Sequence, residues 1–332
     1  MTEPAATFAI PCRNAGANLR PLLESLLAQT RPDFALVLVD DGSTDGSPDV
    51  AREVGGERIE ILRNDPALGL AANFNRCARL VRTPFFCLAH QDDVYEPTYL
   101  AEMLAALEAA PTAGFAHCRA VAIDAEGRTF DAPAERFKER FWRPSPELSA
   151  GDHYRLLFAG NYIVCPSVLF RTEAFVAVGG FRPDLRFATD WELWFRMVHA
   201  GRLPLGVHAR LLRYRRHVGA ATKEAVRDLR RYREELIVLT EAAMLGARDG
   251  FVAADAKPLA LRNALLQDAG EDLLARDRPA AARKLAFLRE ASPRLFRDPA
   301  VVVFRALCHL GPLGRWLVRL GRALALRFAR VP

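Results

Sequence analysis

The chain has 332 residues, 51% of them apolar and 26% charged, with a formal net charge of +6. That length and composition predict one large core with an appendage, and no apolar run approaches the roughly 18 residues of a membrane-spanning helix, so an integral membrane protein is not expected. Six cysteines, Cys12, Cys77, Cys87, Cys118, Cys165 and Cys308, lack CxxC spacing and lie mostly in apolar segments, the pattern of buried free thiols in a reducing compartment. The start, MTEPAATFAIP, has neither the basic residues nor the apolar stretch of a secretory leader, so a cytoplasmic location is expected.

In chain order, Phe8 to Pro11 reads as a strand, Leu19 to Gln29 as a helix, Phe34 to Val39 as a strand and Pro48 to Val54 as a helix. Ile59 to Leu62 then reads as a strand, Leu70 to Leu80 as a helix and Pro84 to Ala89 as a strand. Pro97 to Ala109, apolar at i, i+3 and i+4, reads as a helix and Gly114 to Ile123 as a strand. Strands alternating with helices predict an α/β fold with a parallel, helix-covered sheet. From Asp124 to Ala150 the pattern dissolves into charged, proline-containing sequence, read as a flexible loop over a binding site.

Two of these strands run into acids. Phe34 to Val39 leads into Asp40-Asp41-Gly42-Ser43-Thr44-Asp45-Gly46-Ser47, and Pro84 to Ala89 leads into His90-Gln91-Asp92-Asp93. Clustered carboxylates repel and raise one another's pKa unless a cation or donor neutralises them, and oxygen ligands of this kind suit Mg²⁺ or Mn²⁺. In open α/β sheets ligands sit beyond the carboxyl ends of strands, where both acidic turns fall. A solvated turn or helix N-cap before Glu96-Pro97 accounts equally well for the second pair, and a capped turn accounts for Ser43 to Ser47 but not for Asp40 and Asp41 together. Downstream, Thr189-Asp190-Trp191-Glu192-Leu193-Trp194 opens an apolar helix. Either Thr189 or Asp190 is its N-cap, supported by Glu192, or Asp190 faces a pocket as a base.

Charge is distributed unevenly. From Arg297 onward there are seven arginines against one acid, Asp298, so 7 − 1 = +6, the whole net excess of the chain. This basic amphipathic segment, broken at Gly311-Pro312, reads as two helices suited either to an anionic membrane surface or to packing on the body. The body is close to neutral and carries no nucleic-acid-binding motif, so no nucleic-acid partner is expected.

Six motifs in order, Ile10-Pro11-Cys12-Arg13-Asn14, Val39 to Asp45, Asn64 with Gly69 and Asn73, Gln91-Asp92-Asp93, Gly179-Gly180-Phe181 and Thr189 to Trp194, resemble those of family 2 glycosyltransferases over residues 7 to 222. The resemblance implies a GT-A fold, a mostly parallel Rossmann-like sheet covered by helices, with a C-terminal helical extension. It implies a nucleotide-sugar-binding half at 5–125, an acceptor-binding and catalytic half at 126–222 with a flexible loop at 124–150, and a helical region at 223–332 ending in the basic tail. The implied reaction is an inverting transfer from a nucleoside-diphosphate sugar, a UDP-sugar first, to a hydroxyl of a glycan or lipid-linked acceptor in cell-surface polysaccharide or lipopolysaccharide synthesis. The implied place is the inner face of the plasma membrane, reached through the tail.

By the same resemblance Pro11, Arg13, Asn14, Asp41, Asn73, Gln91 and Asp92 bind the donor, Asp93 and Asp92 with His217 hold Mn²⁺ or Mg²⁺, and Asp190 is the base. Arg213, Arg215 and Arg216 are placed to pair with phosphate. Two positions depart from the family pattern: His90 replaces the first carboxylate of D-x-D-D, and Ala72 stands where an arginine often precedes Asn73, with Arg76 or Arg13 as substitutes. A dehydrogenase reading fails because Pro11 to Gly16 lacks Gly-x-Gly-x-x-Gly, and a sugar nucleotidyltransferase would need a glycine-rich basic loop there. The alternative retained is a non-catalytic nucleotide- or glycan-binding subunit of a polysaccharide assembly complex.

Overall fold

The structure, a computed structural model, describes residues 3–142, 148–216, 225–253 and 255–328. The chain divides into two compact units, residues up to 220 together with 244–253, and residues 221–243 together with 254–332.

The first unit is built on one sheet of eight strands: β1 (Ala6–Cys12), β2 (Phe34–Asp40), β3 (Ile59–Arg63), β4 (Phe85–Leu88), β5 (Val94–Tyr95), β6 (Phe115–Ile123), β7 (Val168–Arg171) and β8 (Pro204–Arg215). Their spatial order is β3-β2-β1-β4-β7-β6-β8-β5. The first four strands pair in parallel, as the helix-strand alternation predicts, with Cys12 opposite Asp40, Asp40 opposite Arg63 and Ala9 opposite Leu88. Their carboxyl ends, each followed by a polar loop, therefore emerge along one edge. The sheet is mixed beyond β4. The strand β7 runs antiparallel to both β4 and β6, and β5 runs antiparallel to β8, while β6 and β8 are parallel.

Helices cover the sheet where the apolar spacing places them: α1 (Leu19–Leu27), α2 (Ser47–Gly55), α3 (Leu70–Leu80) and α4 (Tyr99–Ala109). In α1 the residues Leu19, Leu22, Leu23 and Leu26 are all buried, one face of a 3.6-residue period, and each contributes about 1.5–3 kcal/mol by leaving water. Phe8 of β1 packs against Phe34, Tyr95 and Tyr99 at ring distances of 5.4, 5.9 and 6.1 Å, which joins β1 to β2, β5 and α4.

The stretch 124–150 departs from its reading as a loop, because α5 (Pro133–Phe141) forms inside it. Proline at its first position costs no hydrogen bond, and Phe137 packs on Phe141 at 4.9 Å. Next come α6 (Ala150–Ala159), opened by a capping box between Ser149 and Asp152, α7 (Thr172–Ala177) and α8 (Thr189–His199).

The second unit is helical. Helices Leu259–Leu274, Arg278–Ala291, Pro299–His309 and Gly311–Phe328 contribute Ala269, Leu273, Ala281, Phe304 and Val318 to one small core. The expected break at Gly311 separates the last two helices. They pack by one face and leave Val302, Val303, Leu310, Leu313, Trp316 and Leu320 exposed. Among the described residues no helix is long and apolar enough to cross a membrane.

Candidate active site

The loop after β2 is held by its own polar groups. Asp40, 1% exposed, accepts from the Ser43 N–H at 3.1 Å and from Arg63 Nη1 at 2.6 Å. The loop after β1 locks onto it: the Asn14 N–H donates to Ser43 Oγ at 2.9 Å, and the Thr44 N–H donates to Asn14 Oδ1 at 2.8 Å. Pro11 is buried at the end of β1, while Arg13 and Asn14 are exposed at the rim.

Asp41 sits inside this rim at 2% exposure. It accepts from Asn64 Nδ2 at 2.6 Å and from the N–H groups of Leu68 and Gly69 at 2.7 and 2.9 Å, with Arg13 Nη1 3.6 Å away. Burial works against its charge, yet these donors outweigh burial and hold the carboxyl below its ordinary range. Asn73, 3% exposed, is spent on the scaffold, accepting from Asn64 and donating to the Val39 carbonyl. Where Ala72 leaves no arginine, Arg76 one turn later donates to Asn64 Oδ1 and so supports Asp41 through that amide.

The second acidic turn is tied to the first loop. Gln91 accepts from the Arg13 N–H at 2.7 Å and donates to the Arg13 carbonyl at 3.1 Å, so its amide is a clamp between the two loops. Asp92 is partly exposed, whereas Asp93 is 0% exposed. Asp93 Oδ1 accepts from the Arg215 N–H at 2.8 Å, and its Oδ2 is buried with no hydrogen-bond partner. Burial, then the neighbouring Asp92 charge, pushes the Asp93 pKa well above the carboxylate range despite Arg215 and Arg216.

A buried orphan carboxylate oxygen beside a second carboxylate is the donor set of a hard cation. Among the described residues no group of three or more His, Cys, Asp or Glu side chains is arranged around one point. These two carboxylates thus fit Mg²⁺ or Mn²⁺ that keeps water and phosphate oxygens as further ligands, as such ions do. His90 packs its ring on Phe74 at 5.3 Å, with Nε2 buried and unpartnered, and burial keeps the imidazole neutral. His217 lies outside the described residues.

The arginines at the end of β8 are engaged by the protein itself. Arg215 donates to the carbonyls of Asp92, Asp124 and Ala125 at 2.7–2.9 Å, stapling the acidic turn to the segment before α5. Arg213 donates to the Gly127 carbonyl, and Arg216 donates to Glu135 while lying over the Tyr214 ring.

Asp190 lies in the first turn of α8. The N-cap is Ala188, without a side-chain cap, so neither Thr189 nor Asp190 fills that position. Asp190 Oδ1 accepts from the Trp191 N–H at 2.7 Å and Oδ2 from Asn161 Nδ2 at 3.2 Å. Burial raises its pKa, opposed by Lys138, Asn161 and the Trp191 N–H, which leaves a carboxylate with more affinity for a proton than an exposed one. Burial pushes the Cys165 thiol pKa up, and the charges of Asp190 and Asp93 add to that shift. The Gly179-Gly180-Phe181 turn is clamped by Asn75, which donates to the Phe181 carbonyl at 2.7 Å and accepts from its N–H at 2.9 Å.

Asn161, Lys138 and Asn75 escape sequence reasoning. Asn161 heads an apolar run, which is a faint signal, while Lys138 and Asn75 carry none, and the partner of Asn75 is 106 residues away.

A mixed, helix-covered sheet whose parallel strands end in two acidic turns defines an α/β protein with its ligand site beyond the strand carboxyl ends. The model of the family described as Glycosyl transferase family 2 matches residues 7–174, and the chain belongs to that family. It is a glycosyltransferase. A similar relative is an uncharacterized protein of Mycobacterium tuberculosis, 30% identical over 71% of this chain and 76% of that protein. A PGL/p-HBAD biosynthesis glycosyltransferase of Mycobacterium bovis is 28% identical over 59% of this chain and 70% of its own. Among solved structures, S. aureus TarS 1–349 in complex with UDP-GlcNAc shares the fold at a TM-score of 0.60 and 16% identity, over 97% of this chain and 91% of that one. The mannosyltransferase PcManGT from Pyrobaculum calidifontis, in complex with GDP-Man and Mn²⁺, aligns at 0.54 and 18% identity, over 98% and 81%.

Proposed function

We propose that this chain is a metal-dependent, inverting glycosyltransferase that moves a sugar from a nucleoside-diphosphate donor, a UDP-sugar first, to a hydroxyl of a glycan or lipid-linked acceptor of the cell envelope. One observation carries the reading: the buried, unpartnered Oδ2 of Asp93 beside Asp92, on the same sheet edge as the Asp41 recess. In this reading Asp41 and the rim of Arg13 and Asn14 receive the nucleoside, with Asn64, Asn73 and Gln91 holding those groups in place. Asp92 and Asp93 hold Mg²⁺ or Mn²⁺, which supplies positive charge against a departing diphosphate. Asp190 takes the proton of the acceptor hydroxyl as that oxygen bonds to the anomeric carbon and the bond to the diphosphate breaks. A single displacement inverts the carbon. Asn161 aims the Asp190 carboxylate.

The exposed stripe of Leu313, Trp316 and Leu320, on a tail without acids after Asp298, supports a peripheral seat on an anionic membrane, where a lipid-linked acceptor resides. The test is a thermal-shift panel of UDP, dTDP and GDP with Mn²⁺, Mg²⁺ or EDTA on the wild type and Asp92→Asn. A ligand at 100 times its Kd adds about 2.7 kcal/mol, a readily measured shift. One diphosphate stabilising only with metal, and not in the variant, supports the reading; equal shifts in EDTA and in Asp92→Asn refute it.

A further inference from the structure

Two arginine–glutamate pairs meet at a cleft of about 280 Å³ whose lining includes Arg119, Glu135, Glu139, Trp142 and Tyr162. The first pair is complete: Arg119 forks onto Glu139, Nε to Oε1 at 3.0 Å and Nη2 to Oε2 at 2.5 Å. The second is half made. Arg216 Nη2 donates to Glu135 Oε1, but Arg216 Nε and Glu135 Oε2 are both buried and, among the described residues, have no hydrogen-bond partner. Both residues are held in place. The Arg216 guanidinium lies 4.8 Å from the centre of the Tyr214 ring, its backbone N–H donates to the Ile123 carbonyl at 2.8 Å, and Glu135 is 9% exposed in the first turn of α5.

A buried donor and a buried acceptor that make no bond each cost free energy, so one of each within a single ion pair marks a place for a group that satisfies both. The chemistry of that group is narrow. A phosphate oxygen would accept from Arg216 but be repelled by the Glu135 carboxylate, and an ammonium would suit the carboxylate but not the guanidinium. A hydroxyl carries on one atom a lone pair for Arg216 Nε and a proton for Glu135 Oε2. The fork is also tied to both sides of the site. Arg216 follows Arg215, whose N–H holds Asp93 Oδ1 at 2.8 Å, and the cleft that Glu135 lines includes Tyr162, next to Asn161, the partner of Asp190 at 3.2 Å. In a single displacement the transferred sugar is the part of the reactants that reaches from the diphosphate to the base, because its anomeric carbon is bonded to the one and attacked from the side of the other.

We propose that Glu135 and Arg216 form a hydroxyl-binding fork for the transferred sugar of the nucleotide donor, a specificity-determining pair in which one sugar hydroxyl accepts from Arg216 Nε and donates to Glu135 Oε2. This deepens the proposed donor reading and rests on it. It also gives α5 a part in the site, since the first turn of that helix supplies the accepting half of the fork.

The experiment measures Kd by isothermal titration with Mn²⁺ present, for UDP, GDP and dTDP and for UDP-glucose, UDP-N-acetylglucosamine, GDP-mannose and dTDP-glucose, on the wild type, Glu135→Gln and Arg216→Lys. Glu135→Gln puts an amide NH₂ where an accepting oxygen stood, and Arg216→Lys keeps the cation but removes Nε. A sugar nucleotide that binds the wild type more tightly than its own diphosphate is expected to lose about 10- to 100-fold in each variant, the worth of a hydrogen bond to a charged group, while the diphosphate binds as before. A sugar advantage that is unchanged in the variants, lost in only one of them, or absent for every sugar nucleotide on the wild type would overturn the proposal. Unchanged binding with a lowered Tm would assign a structural water to the fork. The variants approach it from opposite ends, so if one fails to fold the other decides. The two failures are distinct: no diphosphate binding with Mn²⁺ sinks the donor reading, whereas diphosphate binding with an unaltered sugar advantage sinks only the fork.

Discussion

The two glycines before Phe181 offer a test in which one backbone effect is shared and one contact is not. Gly179 and Gly180 both have left-handed φ values, 81° and 72°. A Cβ at Gly179 meets nothing within 4 Å, whereas a Cβ at Gly180 falls 2.7 Å from Asn75 Oδ1 and 3.2 Å from the Phe175 ring. Gly179→Ala therefore carries only the cost of an L-residue in that conformation, about 1–2 kcal/mol. Gly180→Ala adds displacement of the Asn75 amide and loss of its two hydrogen bonds to Phe181, each about 0.5–1.5 kcal/mol. The expected total is about 2–5 kcal/mol, with a difference between the variants of about 1–3 kcal/mol. At about 2–4 °C per kcal/mol for a unit of this size, Gly180→Ala melts several degrees below Gly179→Ala. Differential scanning calorimetry of both variants measures this directly. Equal midpoints, or a milder Gly180→Ala, would show that the Asn75 clamp does not hold this turn.

Further outcomes follow from the same geometry. Asp190→Asn is expected to lower transfer about 10²- to 10⁴-fold with nucleotide binding unchanged; a loss of binding in a titration would show that Asp190 acts on the donor side. Arg215→Met removes three charge-assisted bonds to carbonyls and is expected to cost about 3 kcal/mol while weakening nucleotide binding through the loosened Asp92-Asp93 turn, measured by urea unfolding and by thermal shift. Burial holds His117 near a pKa of about 3 and His153 near about 4, both below the ordinary histidine value of 6.5. Their contribution is therefore complete above pH 6.5 and declines as pH falls. Each is expected to withdraw on the order of 1–2 kcal/mol by pH 5, and His117→Phe should flatten that acid limb in urea titrations. Trp316→Glu with Leu313→Glu is expected to abolish co-sedimentation with anionic vesicles, and equal pelleting of variant and wild type would remove the membrane seat.

The sequence by itself determined the first four strands and their helices, because each buries a face whose period is written locally: Leu19, Leu22, Leu23 and Leu26 mark α1 wherever that segment is placed. It also determined which loops carry the acids, since Asp40-Asp41 and Asp92-Asp93 follow apolar runs directly. Tertiary structure alone decided the rest. The antiparallel entry of β7 between β4 and β6 depends on a long connection, and its four residues carry no signal of direction. The helix α5 is polar on most of its surface and lies in charged sequence, so only its packing on β6 distinguishes it from a loop. The hydrogen bonds that Asn73, Gln91 and Arg215 make within the protein were likewise invisible, because an amide or guanidinium reads the same whether it faces a ligand or a carbonyl. What raises the pKa of Asp93 and Asp190, where buried Asp41 is lowered, is burial that donors from distant segments do not outweigh, a property of three-dimensional contact that no local window contains.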